Sequence, residues 1–332
     1  MKWLSRLLVV VLLLAVVVMG AAWWWLSSPL PLRADRVEVS IEPGTSPREV
    51  ARLWAEAGVQ AHPELLYQWF RWSGQARRIR AGSYEIEHGA TARSLLDKMV
   101  RGDEALETLR LIDGWTFRQV RQALAEAPHL KQTIAPLSDA QVAEALGLQA
   151  AAVEGQLFPD TYAYSRGVSD VTVLKRAAAA MQRQLDTAWA GRAPGLPLPN
   201  PQAALVLASV VEKETGAPGD RGRIAAVFIN RLKLGMPLQS DPTVIYGMGT
   251  RFDGNLRRAD LLADTPWNTY TRAGLPPTPI ALPGLAALQA TLHPEPSKAL
   301  YFVARGDGSS VFSETLDAHN RAVNQFQRGQ RP

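Results

Sequence analysis

The chain contains no cysteine. Disulfide scaffolds and cysteine nucleophiles are thereby excluded, and zinc clusters lose their usual soft donor. Histidine is scarce, five in 332 residues. His293 and His319 are isolated and no His-x-x-x-His pair occurs, so these read as surface or structural side chains and no metal is expected. The Gly-x-Gly at Gly306-Asp307-Gly308 reads as a hairpin turn rather than a phosphate cradle, and no cofactor is implied. Ser309, Ser310 and Ser313 lack a nucleophile-elbow context, which argues against a serine hydrolase. The basic excess is mild, 36 against 31 acidic residues, or +5. No Lys/Arg block interleaved with aromatics stands out, so no nucleic-acid partner is expected. Internal repeats and low-complexity tracts are also missing.

Charge itself is missing between Arg6 and Arg33, and Leu7 to Leu26 is almost wholly apolar. About 20 such residues, at roughly 1.5 Å each, cross a hydrocarbon core of about 30 Å. Lys2 and Arg6 precede the run, which keeps the N-terminus cytoplasmic by the positive-inside rule. Trp23, Trp24 and Trp25 fall where an aromatic belt meets the outer interface. The rival is a cleaved signal peptide with a site near Gly20-Ala21-Ala22. An uncleaved anchor with everything after about Ser27 outside the cytoplasm is expected.

The remainder is long enough for two soluble modules. Residues 27–35, with two prolines, read as a linker. Val37, Val39 and Ile41 alternate with polar residues as in a half-buried strand, and Ser46-Pro47 is an N-cap with a favourable first helical residue. Helices to about Ala57 and over 63–72 follow, then a strand over 81–86 and a helix from Ala92 to Val100 stopped by Gly102. Strand, two helices, strand is the order of a LysM-type carbohydrate-binding unit. A further strand-then-helix pair spans 109–124, followed by a mostly helical stretch.

Residues 202–211 are apolar on almost every side and predict a buried helix. It ends in Glu212-Lys213-Glu214-Thr215-Gly216, with Gly216 as a candidate C-terminal cap. Side chains two apart diverge by about 200° on a helix, so the two glutamates cannot form one acid/base pair. Burial and the negative end of the helix dipole both favour the protonated acid, the state that glycosidic bond cleavage requires. The structural alternative pairs both glutamates with Arg221 or Arg223. Periodicity does not choose between them, since Leu207 and Val210 on one face and Leu205 and Ala208 on the other are equally apolar.

Residues 227–247 (Val-Phe-Ile-Asn-Arg through Asp-Pro-Thr-Val-Ile-Tyr-Gly), Trp267-Asn268-Thr269-Tyr270 and Gly274-Leu275-Pro276-Pro277 together resemble the MltG (YceG-like) endolytic murein transglycosylases. The anchor, the LysM-like unit, Phe158-Pro159-Asp160-Thr161-Tyr162 and Tyr301-Phe302-Val303-Ala304 belong to the same resemblance, which covers most of the chain. It implies a lytic transglycosylase that cleaves nascent peptidoglycan strands and leaves 1,6-anhydro-N-acetylmuramic acid ends, terminating elongation. The resemblance also implies a bacterial inner-membrane protein, held by the N-terminal helix with its catalytic domain in the periplasm, and peptidoglycan synthases as a candidate partner class. It also implies that Glu214 is the catalytic residue, with Gln239, Asp241, Asn268 and Tyr270 around the saccharide cleft. Asp241 before Pro242 could equally be a helix N-cap, Asn268 could satisfy loop backbone, and Tyr270 could fill the core. Thr278 and Leu282 replace the usual glycine and asparagine, so no contact is assigned to position 282. The expected class is therefore α+β: an N-terminal transmembrane helix (7–26, after a cytoplasmic 1–6), a linker (27–35), a small LysM-like α/β subdomain (36–103) and a larger mixed α/β catalytic domain (104–332) whose buried helix carries the catalytic Glu. The alternatives are a hydrolytic muramidase using a second carboxylate, Asp241 or Asp220, and a non-catalytic cell-wall-binding scaffold.

Overall fold

The computed structural model describes residues 2–150 and 152–328; residues 1, 151 and 329–332 of the expected segments lie outside the described residues. The fold is mixed α/β with an N-terminal apolar helix and three two-stranded sheets among the described residues. The chain divides into two compact units, the first formed by residues up to Glu107 with Ala163–Gly167, the second by Thr108–Tyr162 and the chain from Val168.

The first unit opens with α1 (Lys2–Ser27), in which Arg6–Ser27 is long and apolar enough to cross a membrane. Next come β1 (Arg36–Ile41), α2 (Pro47–Ala57), α3 (Pro63–Trp72), β2 (Gly82–Glu87) and α4 (Ala92–Arg101). The two strands are antiparallel with Val37 opposite Ile86 and Val39 opposite Tyr84, so the period-two pattern turns Val37, Val39, Ile41, Tyr84 and Ile86 into one core. Trp54, Leu66, Phe70, Leu95 and Met99 close it from the helices. The caps follow the sequence: the Ser46 side chain accepts from Glu49 N, Thr91 and Ser94 form a capping box, and Gly102 takes the left-handed conformation that ends α4. Residues 28–33 have their backbone groups tied into this unit. Leu30 N donates to Ala90 O, Arg33 N to Gly58 O, and Gln60 N to Pro31 O. Proline here ends the helix without leaving a loose tether.

The second unit begins within β3 (Leu106–Arg110) and continues through α5 (Phe117–Glu126), α6 (Asp139–Leu146), the first two residues of β4 (Thr161–Ser165), α7 (Asp170–Ala190), α8 (Pro201–Glu214), α9 (Arg221–Lys233), α10 (Asp241–Met248), α11 (Arg258–Leu262), α12 (Leu285–Leu292), β5 (Tyr301–Ala304), β6 (Ser310–Ser313) and α13 (Leu316–Val323). Helix α8 is the axis. Ala204 to Val211 are all buried, because a helix apolar on every face must be covered on every face. One side, Leu207, Val210 and Val211, packs with Ile224, Phe228 and Ile229 of α9. The other, Leu205 and Ala208, packs with Met181 and Leu185 of α7 and with Leu288 of α12. The Gly306–Gly308 segment joins β5 to β6 as the expected hairpin.

Candidate active site

The two faces of α8 separate the two glutamates. Glu214 follows Leu207 and Val210 at seven and four residues and lies on the α9 side. Glu212 follows Leu205 and Ala208 in the same way and lies on the α7/α12 side. Glu212 is held structurally: Gly284 N donates to its Oε2 at 3.1 Å, and Arg221 stands 3.9 Å away. Glu214 has no ion pair among the described residues, and Arg223 lies instead over the Phe312 ring. The helix stops at Thr215, whose backbone is extended and whose hydroxyl donates to Val211 O at 2.7 Å. Gly216 is therefore not the cap. Its lack of a side chain serves another end, since a Cβ there would stand 3.0 Å from Gly308 O.

Glu214 lines a cleft of about 620 Å³ together with Arg231, Gln239, Asp241, Tyr270 and Tyr301. The residue is half-buried at the wall of this cleft. Burial pushes its pKa up to about 7, the nearby Asp241 charge adds to the rise, and the Ser240 hydroxyl and Arg231 guanidinium oppose it. The acid form is thus populated at neutral pH. Ser240 Oγ donates to Oε1 at 2.6 Å, which fixes the carboxyl while no described group takes Oε2.

Ser240 is itself locked. Its N–H donates to Thr269 Oγ1 at 3.0 Å, its carbonyl accepts from Thr243 Oγ1 at 2.7 Å, and the two threonine hydroxyls lie 2.8 Å apart. Ser240 is the N-cap position of α10, so Asp241 is the first helical residue and Pro242 the second, one step later than the N-cap expected for Asp241. A carboxylate at that position is favoured by the helix dipole. Asp241 Oδ1 also accepts from the Tyr270 hydroxyl at 2.5 Å.

Arg231 is 7% exposed and donates to four oxygens: Leu300 O, Pro237 O, Leu238 O and Gln239 Oε1. This clamp holds the 237–239 turn, where Gln239 sits at φ 52°, a left-handed conformation costly for a residue with a Cβ. Gln239 N donates to Thr269 O at 3.0 Å. The expected set is thus brought together at Glu214, Gln239, Asp241 and Tyr270 but not at Asn268. That side chain is fully buried, donates to Leu261 O and Ala263 O, and accepts from Tyr270 N. Its bonding capacity goes to loop backbone, and it acts by holding Tyr270.

Three residues were missed. Ser240 is an ordinary serine whose partner is 26 residues away. His319 lines the cleft and stacks on Tyr301 at 5.2 Å; an isolated histidine carries no local signal. Glu154 is 6% exposed, accepts from Phe117 N through both oxygens and hydrogen-bonds Tyr246 of α10, and burial pushes its pKa up to about 7. The next residue, Gly155, has φ 76°, and a Cβ there would meet Pro279 at 2.3 Å. The signal was the Glu-Gly pair itself. Asp220, the other candidate second carboxylate, accepts from Ser310 N at 2.6 Å and braces the hairpin. No group of three or more metal-ligating side chains occurs among the described residues.

The cleft thus holds a carboxyl bonded at one oxygen by Ser240, with burial favouring its acid form. The YceG-like family profile matches residues 39–325, and this chain belongs to that family. It is 29% identical over 307 residues to a Bacillus subtilis protein named endolytic murein transglycosylase, covering 87% of this chain and 84% of that one. A Streptococcus pneumoniae protein of the same name is 27% identical over 344 residues; the match covers 90% of this chain and 60% of the pneumococcal protein. The solved structure of a YceG-like protein from Listeria monocytogenes aligns with a TM-score of 0.53 at 27% identity, over 86% of this chain and 98% of the other.

Proposed function

We propose that this chain is a membrane-anchored lytic transglycosylase that cuts the bond between N-acetylmuramic acid and N-acetylglucosamine in nascent peptidoglycan, with Glu214 as both acid and base. The names of its relatives support the enzyme class, and the Glu214 carboxyl at the cleft wall, its pKa raised by burial, supports the mechanism. Glu214 gives its proton to the glycosidic oxygen as the C1–O bond breaks. The carboxylate then removes the proton from the muramoyl 6-hydroxyl as that oxygen closes onto C1, yielding a 1,6-anhydro end and restoring the acid. The 6-hydroxyl outcompetes water because it is already held near C1. Ser240 steadies the carboxyl in both states, and Gln239, Asp241 and Tyr270 are the polar groups available to the sugars.

Residues 7–26 serve as a single-pass anchor with the N-terminus in the cytoplasm. The LysM-like 36–103 segment engages or positions glycan ahead of the catalytic 104–332 segment. A peptidoglycan synthase is the natural neighbour for an enzyme that ends growing strands. Incubating the full chain with purified peptidoglycan and analysing muropeptides by mass spectrometry should give 1,6-anhydromuramic ends. Reducing muramic ends would instead assign a muramidase in which Asp241 activates water, and no turnover would leave a binding scaffold.

A further inference from the structure

Helix α3 carries two apolar stripes, and the first core needs only one of them. Leu66 and Phe70 are fully buried, whereas Leu65 and Trp72 are 53% and 77% exposed. Leu65 and Trp72 lie at i and i+7 on one outward face, with Trp69 at i+4 on its edge, where it packs partly on the core. Arg71 on the helix and Arg77 and Arg78 just after it are exposed and form no ion pair among the described residues. The cluster falls within one stretch of sequence, Trp69-Phe70-Arg71-Trp72 with Arg77 and Arg78 close behind.

Its position relative to α1 is fixed by hydrogen bonds within the first unit. Trp25 and Leu26, at the end of α1, pack on the unit's core. Pro29 pairs with Thr91, and Leu30 N donates to Ala90 O at 2.7 Å. One residue further on, Ala92 O accepts from Trp69 Nε1 at 3.0 Å. At the other end of α3, Gln60 N donates to Pro31 O at 2.8 Å, three residues before the helix starts. The start of α3 is therefore tied to Pro31 and its far end to Ala92, next to the Ala90 and Thr91 that pair with residues 29 and 30, two to four residues after Ser27. Chain advances at most about 3.5 Å per residue, so this level lies within about 15 Å of the end of α1. The headgroup layer outside the hydrocarbon core is itself some 5–8 Å deep.

We propose that the outward face of α3, Leu65 and Trp72 with Trp69 at its edge, together with Arg77 and Arg78 just after the helix, docks on the outer-leaflet surface of the bilayer that α1 spans. This rests on the anchor reading of α1. Interfacial helices take this form, with aromatic and aliphatic side chains among the lipid headgroups and arginines drawn to anionic lipid. The docked unit holds the start of the extramembrane chain against the membrane instead of letting it swing on a tether.

Because the chain has no cysteine, single cysteines can report depth. Full-length chain carrying Trp24→Cys, Trp72→Cys or Asp103→Cys, each with an environment-sensitive fluorophore, would be reconstituted into phosphatidylethanolamine vesicles containing phosphatidylglycerol. Doxyl-labelled lipid supplies the quencher. Asp103 follows the far end of α4 from Thr91 and serves as the distant reference. Labels at 24 and 72 should be quenched and the label at 103 spared, and Arg77→Glu with Arg78→Glu should reduce quenching at 72 most in the phosphatidylglycerol vesicles. Quenching at 24 with none at 72 overturns the docking while the anchor stands. No quenching at 24 removes the anchor and the docking together. A label at 72 that responds to added peptidoglycan and not to lipid assigns the face to glycan and overturns the proposal equally.

Discussion

The first unit buries a single polar side chain among its described residues, Ser83, while every other buried polar or charged one, Glu154, Asp170, Arg231 and Ser240 among them, belongs to the second. Burying a polar group costs free energy unless each donor and acceptor is matched. The first unit avoids that cost and keeps its charges in exposed pairs such as Arg52 with Glu49 and Glu56. In the second unit the matched groups form a frame, Thr243–Thr269–Ser240 and Arg231 on the 237–239 turn, around one carboxyl whose Oε2 is left open. The difference marks where chemistry is expected: one unit is built for shape, the other tolerates buried polarity in order to hold a proton.

The strongest way to break this comparison is Glu214→Gln. General acid–base groups contribute about 10²–10⁴ in rate, so turnover should fall by that much with the circular dichroism spectrum unchanged. The wild-type kcat/KM should decline as pH rises through about 7, where the acid form is lost. Stability should move too. The folded carboxyl holds its proton to about 7 against an ordinary 4.5, so between those values the folded state binds more protons than the unfolded one and stability drops as pH rises. Glutamine removes that drop, and at pH 8 the variant should be more stable than wild type by up to about 3 kcal/mol. A less stable variant at pH 8 would mean that the charged carboxyl is well matched where it lies.

Trp54→Ala tests the other side. Trp54 is fully buried in the first core, and its Nε1 lies 3.3 Å from Met99 Sδ. Truncating a buried tryptophan costs about 3–5 kcal/mol. The first unit should lose thermal stability by that amount, while the identity of the cleaved bond stays the same. A changed product would mean that this unit shapes the cleft.

Much of the first unit was legible because its signals are local: alternation in 37–41, Ser46-Pro47, and Gly58 and Gly102 at helix ends. In the second, the sequence marked α8 as buried yet left Glu212 and Glu214 equal, because both faces of the helix are apolar and only tertiary packing tells α9 from α7. Tertiary contacts also decided Asn268, whose amide is spent on loop carbonyls, and Ser240, which meets Glu214 across 26 residues of chain. Ser240→Ala addresses that hidden contact. Its hydroxyl holds the Glu214 pKa down, so its loss should shift the falling limb of the pH profile to higher pH. Losing one hydrogen bond to a carboxyl should also cost about tenfold in turnover. A limb that moves to lower pH would show that Ser240 is not the group stabilising the carboxylate.

Glu212→Gln should do least, and it separates position from chemistry. Glu212 lies two residues from Glu214, is 10% exposed, and also has a pKa raised first of all by burial. If a raised pKa on this helix were enough for catalysis, the two would be interchangeable. Their surroundings differ. Glu212 Oε2 already accepts from Gly284 N, and its arginine partner is at 3.9 Å, long for a direct bond. A glutamine oxygen can keep the Gly284 contact, so the expected loss is about 1 kcal/mol or less in thermal or denaturant unfolding. Turnover per folded molecule should be retained, because this side chain faces α12 and not the cleft. If Glu212→Gln abolished turnover and Glu214→Gln did not, the catalytic carboxyl would be on the opposite face of α8. The Ser240 frame would then be a way of closing the core rather than of holding an acid.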